Sequence, residues 1–560
     1  MKVPPSSKGQ ENPKSFSAWI SDSWTLAVIL LAFLLAFPVL FVLGSIFTES
    51  QEVWRHLAAT VLPRYILNSM WLMLGVGVGV LLIGVSTAWV VTTCQFWGRR
   101  VFEWALLLPL AAPAYVLAYT YTEWLEYYGP VQKGLREVFG WRSVQDYWFP
   151  HIRSVPGAIL MLILVLYPYV YLLARVAFLE QSIATLEASR SLGCGPWRGF
   201  VGVALPLARP AIMAGLALAL METLNDFGTV QYFGVDTFTT GIYRTWFGLG
   251  DRIAAAQLAA VLMLFILGLI LLEQWSRRQA RYYQSGNLYQ SWQRYQLRGM
   301  RGIGAGALCF LPIFLGFLLP AGLLLDLTLK NAHLTINQRF WQFANNSLTL
   351  AITTAIIAVI IAVIMAYGQR LRGNWWMRLS VRLAAMGYAI PGSVIAVGVL
   401  IPVSRLDNWI DQVMRSVWGI PTGLLLTGTI SALVFGYLVR FMAVSFGAVE
   451  SSLSKIPPSL DEAARSLGHN PSSTLIKVHA PMMWGGLLTG AMLVFVDVMK
   501  ELPATLVMRP FNFDTLAVQV YRYASDERLP EASGPALAIV LVGILPVILL
   551  SWRIAKSGRG

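Results

Sequence analysis

Four carboxylates stand in otherwise apolar text, where an ionisable side chain is costly. Glu222 and Asp226 lie four residues apart, and Asp497 and Glu501 repeat that spacing 275 residues later with the acids exchanged. Residues four apart on a helix share one face. If the helix enters the hydrocarbon near Ile212, Glu222 sits about 15 Å deep at 1.5 Å per residue. That is near the middle of a core roughly 30 Å thick. A carboxylate there costs at least about 2.5–3.5 kcal/mol on insertion scales, so it must face a cavity or a partner. Carboxyl oxygens gathered round a path suit a cation, and a hard one. A second reading stands beside this one: Lys500, at the position of Asn225, neutralises an acid, and the groups have a structural task. No metal site is firmly assigned by either.

Catalytic chemistry finds no support. The five histidines, His56, His151, His333, His469 and His479, are scattered without ligand spacing. A phosphate-cradling P-loop needs a Gly-Lys pair, and the chain contains none. The cysteines, Cys94, Cys194 and Cys309, are odd in number and far apart, which predicts reduced, structural thiols. The chain reads as a non-enzyme with no cofactor of its own.

The elements that must carry these acids follow from composition. Of 560 residues, 56% are hydrophobic and only 12% charged, with mean hydropathy +0.61. Soluble domains are about 25% charged, so a water-soluble globule, a disordered chain and a disulfide scaffold are excluded. Apolar runs predict twelve membrane spans, at about 24–47, 66–93, 101–121, 156–173, 211–230, 253–272, 303–327, 348–366, 383–403, 422–437, 483–506 and 535–552. The net charge of +14 does not imply nucleic acid, because basic residues of polytopic proteins gather in cytoplasmic loops. Arg99, Arg100, Arg277, Arg278, Arg281, Arg370, Arg372, Arg378 and Arg553 all fall on the side of the N-terminus, so both termini are expected in the cytoplasm.

An internal repeat organises the chain. Asn68-Ser69 recurs as Asn346-Ser347, Pro113 as Pro391 and Tyr243-Arg244 as Tyr521-Arg522, each at an offset of 278. Six spans per copy is an even number, so the copies enter the membrane in the same orientation and are related by an axis along its normal. The expected fold is all-α and polytopic: a tail with the first span and outer loop (1–62), a first core (63–272), a basic linker with the seventh span and its outer loop (273–341), a second core (342–553) and a tail (554–560). Between spans four and five, and again between ten and eleven, a cytoplasmic loop carries a duplicated motif. Glu187-Ala188-Ser189-Arg190-Ser191-Leu192-Gly193 recurs as Glu462-Ala463-Ala464-Arg465-Ser466-Leu467-Gly468. Ser459 and Glu462 have capping-box spacing, Gly468 supplies a C-terminal stop, and Asn470-Pro471 opens a further helix. A capped connecting helix would use the same residues. Duplication of a surface loop favours a docking role, since loops tolerate change unless something binds them.

Glu-Ala-Ala, a Gly after three residues and a Leu-Pro beyond resembles the cytoplasmic signature of ABC-importer permeases. Glu187, Ala188, Gly193, Val203 and Leu205-Pro206 carry it in the first copy, and Glu462, Ala463, Ala464, Gly468, Val478 and Pro481 in the second. Ser189 and Ala480 depart from the pattern. The stretches 220–230, 237–244, 500–505 and 511–517 resemble the fused two-copy permeases of ferric-iron importers. The resemblance implies coupling helices seated on two ABC ATPase subunits that hold ATP and Mg, and a periplasmic or lipoprotein ferric-iron-binding protein as donor. It also implies residence in a bacterial inner membrane and contact with lipid. Thiamine and phosphonate permeases share the signature. A secondary transporter would also use repeats and intramembrane acids, but would need no ATPase. Tyr115, Tyr119, Tyr121, Tyr127 and Tyr128, with Glu123 and Glu126, read as an interfacial aromatic belt. The Arg- and Tyr-rich stretch 281–295 reads as a positive-inside linker and not an RNA surface.

Overall fold

The computed structural model describes residues 23–48, 51–180, 195–278 and 294–557. The first copy of the duplicated loop motif, Glu187, Ala188, Ser189 and Gly193, lies outside the described residues, as do Cys194 and most of the basic linker. Among the described residues, ten helices are long and apolar enough to cross a membrane, and two further bent helix pairs bring the total to twelve. They are numbered in chain order: α1 Trp24–Phe47, α2 Leu62–Thr93, α3 Ala114–Leu125, α4 Val155–Leu179, α5 Trp197–Asn225, α6 Arg252–Glu273, α7 Met300–Lys330, α8 Gln338–Leu371, α9 Gly392–Trp418, α10 Ser431–Leu453, α11 Trp484–Lys500 and α12 Leu529–Ile548. The only strands among the described residues form one short parallel bridge, Cys94-Gln95 with Tyr295-Gln296.

Proline explains where the helices bend. Pro113 and Pro391 fall at breaks, each as the residue before a new helix, with φ/ψ of −62°/145° and −56°/142°. The preceding residues, Ala112 and Ile390, are extended, as a following proline requires. Three π-turns, Phe200–Ala204, Phe314–Leu318 and Leu475–His479, each precede a proline by two residues: Pro206, Pro320 and Pro481. A proline inside a helix removes a backbone donor and crowds the previous turn, and the widened turn accommodates both effects.

Several predicted spans differ from the structure, and the third, 101–121, is broken at Pro113 by an 89° bend. The fifth stops at Asn225 and the eleventh at Lys500, short of Val230 and Leu506. The ninth begins after Pro391 and runs on to Trp418, and the tenth begins only at Ser431. Two carboxylates hold the intervening segment as a loop. Asp407 accepts from the backbone N–H groups of Leu426 and Thr427 at 2.9 and 2.7 Å, and Asp411 from those of Thr422 and Gly423 at 2.8 Å each.

The copies exchange their first helices. Trp24 of α1 meets Tyr367 of α8 edge-on at 5.4 Å, and a Cβ on Gly398 of α9 would lie 2.5 Å from the Pro38 carbonyl oxygen. In the opposite sense, the Leu315 carbonyl of α7 accepts from the Tyr121 hydroxyl of α3 at 2.6 Å. The repeat is also legible atom by atom. Asn68 donates to the Asp236 carbonyl and Asn346 to the Asp514 carbonyl, both at 2.9 Å and both across 168 residues.

Candidate functional site

The four acids of the spans fall into two kinds. Asp226 and Glu501 stand just beyond the last residue of α5 and α11, in extended backbone. Each turns its carboxylate onto the short helix that follows. Asp226 accepts from the Val230 N–H at 3.0 Å and the Thr229 hydroxyl at 2.9 Å. Glu501 accepts from the N–H groups of Ala504 and Thr505 at 3.0 Å each, and from Arg440 Nη1 at 2.9 Å. The expectation that Glu222 and Asp226 share one helical face is therefore corrected. The helix ends between them, and the second acid satisfies free backbone donors at a new N-terminus.

Glu222 and Asp497 remain on their helices. Glu222 accepts from Asn225 Nδ2 at 3.3 Å, while Asn225 Oδ1 accepts from the Gly392 N–H of the other half at 3.0 Å. Lys500 Nζ pairs with Asp497 Oδ1 at 2.9 Å, so the neutralising contact weighed from sequence is present. All six residues, Glu222, Asn225, Asp226, Asp497, Lys500 and Glu501, nevertheless line one cavity of about 140 Å³ between the halves. Tyr115, Tyr169, Tyr388 and Arg440 share its wall. Four carboxylates face two cations, and three phenol oxygens add neutral hard donors. Such a wall can hold a hard cation in passing.

The two helix breaks also close on each other. The Phe227 ring lies 4.9 Å from Tyr243 and 5.8 Å from Tyr521, the repeated tyrosines. A Cβ on Gly228 would stand 2.6 Å from Tyr115 Cβ and 3.0 Å from Leu502 Cδ2, so only glycine permits this approach. Sequence reasoning missed Tyr169, Tyr388 and Arg440. Arg440 carried a usable signal, a base within an apolar span; the tyrosines carried none. Tyr115, Tyr119 and Tyr121, assigned to an interfacial belt, are buried instead. The bend before α3 turns them inward, and Tyr115 donates to the Lys500 carbonyl at 3.5 Å. Tyr128, 90% exposed, is the one tyrosine of that cluster lying fully at the surface, and Glu123 is exposed beside it.

The second copy of the loop motif forms the helix Ser459–Ser466, whose residues Glu462 and Ala463 are exposed and whose Ala464 is buried. Its start corrects the capping-box expectation: Pro458 is the cap residue, Ser459 is already the first helical residue, and no side chain caps the end. Gly468 adopts φ +81° just past the helix, the left-handed stop expected of it. Asn470 caps the next helix through the Ser473 N–H at 2.8 Å. Leu467 is 79% exposed beside the motif, an apolar side chain offered to solvent at a membrane protein's end.

The sequence pattern of the family described as binding-protein-dependent transport system inner membrane component matches residues 75–279 and again 358–555. An Fe(3+)-transport system permease protein of Haemophilus influenzae is 26% identical over 94% of this chain and 97% of its own length. A ferric transport system permease protein of Actinobacillus pleuropneumoniae is 22% identical over 95% of this chain and 78% of its own. The molybdenum transport system permease protein of Escherichia coli K12 is 27% identical over 35% of this chain but 86% of its own length.

Proposed function

The chain belongs to the family of binding-protein-dependent transport system inner membrane components, and from that premise we propose that it is the permease subunit of an ATP-driven importer of ferric iron. The observation that carries the cargo is the cavity between the two helix breaks, where Glu222 and Asp497 meet Tyr115, Tyr169 and Tyr388. Carboxylate and phenol oxygens are the hard donors that a small, highly charged cation prefers. The naming of two near full-length relatives for ferric transport agrees with that chemistry. Lys500 balances Asp497 when the path is empty, and an arriving cation competes for that carboxylate.

In this reading the chain contributes no nucleotide chemistry. Two ATPase subunits hold ATP and Mg and dock on the loops at Glu187–Gly193 and Glu462–Gly468. An extracytoplasmic ferric-iron-binding protein delivers the cargo on the opposite face. Both termini lie in the cytoplasm of a bacterial cell, on the side where the loop arginines gather.

The test is uptake into proteoliposomes carrying the permease with its ATPase and loaded binding protein, comparing ferric iron, thiamine and a phosphonate. ATP-dependent accumulation of iron alone is expected. Accumulation of thiamine or phosphonate in its place would reassign the cargo, and uptake without any ATPase would make the chain a secondary transporter.

A further inference from the structure

The second docking loop is tied to the membrane helices through one carboxylate. Asp461, one residue before the exposed Glu462 and itself turned inward, lies on the helix Ser459–Ser466. Its Oδ2 accepts from Arg370 Nε at 2.9 Å and Nη2 at 2.6 Å, and its Oδ1 meets His479 Nε2 at 2.7 Å. Arg370 lies in the last turn of α8, and His479 ends the π-turn of the helix Pro471–Met482, which a 79° bend joins to α11. The same guanidinium donates to the Leu453 carbonyl at 2.8 Å, the last residue of α10. The ends of α8 and α10 and the short helix before α11 therefore converge on Asp461. His479 is fully buried, and burial alone would raise the Asp461 pKa. Hydrogen bonds from Arg370 and His479 outweigh that burial and hold the carboxyl below its ordinary range. A guanidinium fork with donors fixed in one plane restricts the orientation of its acceptor far more than a lone ammonium would.

The first copy has none of these groups. At the repeat offsets, Thr92 stands for Arg370, Leu186 for Asp461 and Ala204 for His479. Tyr367, which donates to the Pro471 carbonyl at 3.0 Å, is replaced by Trp89. Trp89 packs on Phe178 at 5.3 Å and Phe200 at 4.8 Å instead. The first copy's docking loop, 181–194, lies outside the described residues, and at the span ends beside it Glu103 pairs with Arg99 and Arg175.

We propose that Asp461, Arg370 and His479 are positioning residues that key the second docking helix to α8, α10 and the helix Pro471–Met482 that precedes α11, so that ATPase motion passes through this clamp to the membrane helices. The inference rests on the reading of this loop as an ATPase dock. A charged fork and an imidazole on opposite carboxylate oxygens resist sliding of the docking helix against the elements that hold it.

The experiment measures ATP hydrolysed per iron delivered in proteoliposomes holding the whole complex, at equal permease content and with ATPase retention scored on the same sample. His479→Ala and Asp461→Asn are each expected to raise ATP per iron by about fivefold, the low end of ordinary coupling energies, with ATPase subunits retained. His479→Gln, which keeps a donor for Asp461 Oδ1, is expected to return within about twofold of the unmodified ratio. An unchanged ratio in both disruptive variants overturns the proposal. So does loss of the ATPase from them, because the residues would then build the dock and not its linkage. A Gln variant no better than Ala overturns it as well. Failure of the unmodified permease to retain any ATPase is a different result, and it removes the importer reading itself.

Discussion

At the scale of single residues, acids four positions apart have separate partners. Asp226 and Glu501 are engaged by backbone donors of the next helix and, for Glu501, by Arg440. Glu222 and Asp497 are engaged only by side chains, Asn225 and Lys500, which in the proposed function yield to the cargo. This division makes a differential prediction. The double variant Glu222→Gln, Asp497→Asn should lower ATP-dependent iron uptake by about tenfold, a barrier change of about 1.4 kcal/mol, while ATPase retention and membrane content stay as they were. Replacing Asp226 and Glu501 by Asn and Gln should instead lower the amount of folded permease in the membrane. Uptake proportional to folded protein in the first variant would show that its acids have no part in the path.

Among the elements, capping distinguishes the sequence pattern from the structure. Ser459 and Glu462 have the spacing of a capping box, but Pro458 already occupies the cap position and Ser459 starts the helix. Two residues later, Asp461 is drawn inward by Arg370 and His479, so tertiary contacts fix where this short helix sits. Ser459→Ala should therefore change thermal stability by less than about 0.5 kcal/mol, as an ordinary surface substitution does. Asn470→Ala should cost about 1 kcal/mol, because Asn470 makes a real cap to the Ser473 N–H. Melting of the detergent-purified permease compares the two. Equal losses would restore the capping box and displace this account of the helix start.

For the whole molecule, pseudo-symmetry is quantitative in places and broken in others. Asn68 and Asn346 make the same hydrogen bond at the same distance across the same chain separation. Asn68→Ala and Asn346→Ala should then lower stability equally, by about 1 kcal/mol each for one such bond, and a calorimetric difference well beyond that would show that the halves bear load unequally even here. The sequence repeat fails at the docking loops, where Leu186 and Ala204 stand for Asp461 and His479, and at the cavity, where Asn225 stands for Lys500. In the proposed function one pathway crosses between the halves, so a charge placed once acts on the cargo and needs no twin. The exchanged packing of α1 and α7 joins each half to the other through helices outside the cores.

Composition and period were enough to establish an all-helical membrane protein, because apolar runs about 20 residues long leave the chain no other place to be. The repeat, the loop motif and the identity of the acids in the spans were equally legible, since each is a local pattern that recurs at a fixed offset. The helix ends at Asn225 and Lys500, the inward turn of Tyr115 and the company of Tyr169, Tyr388 and Arg440 were not. Those depend on which backbone donors lack partners after a break, and on which side chains distant segments bring within hydrogen-bonding range. Sequence determined that charges lie in the membrane; tertiary structure decided which of them cap a new helix and which pair only with side chains in the cavity, because those partners come from where the helices break.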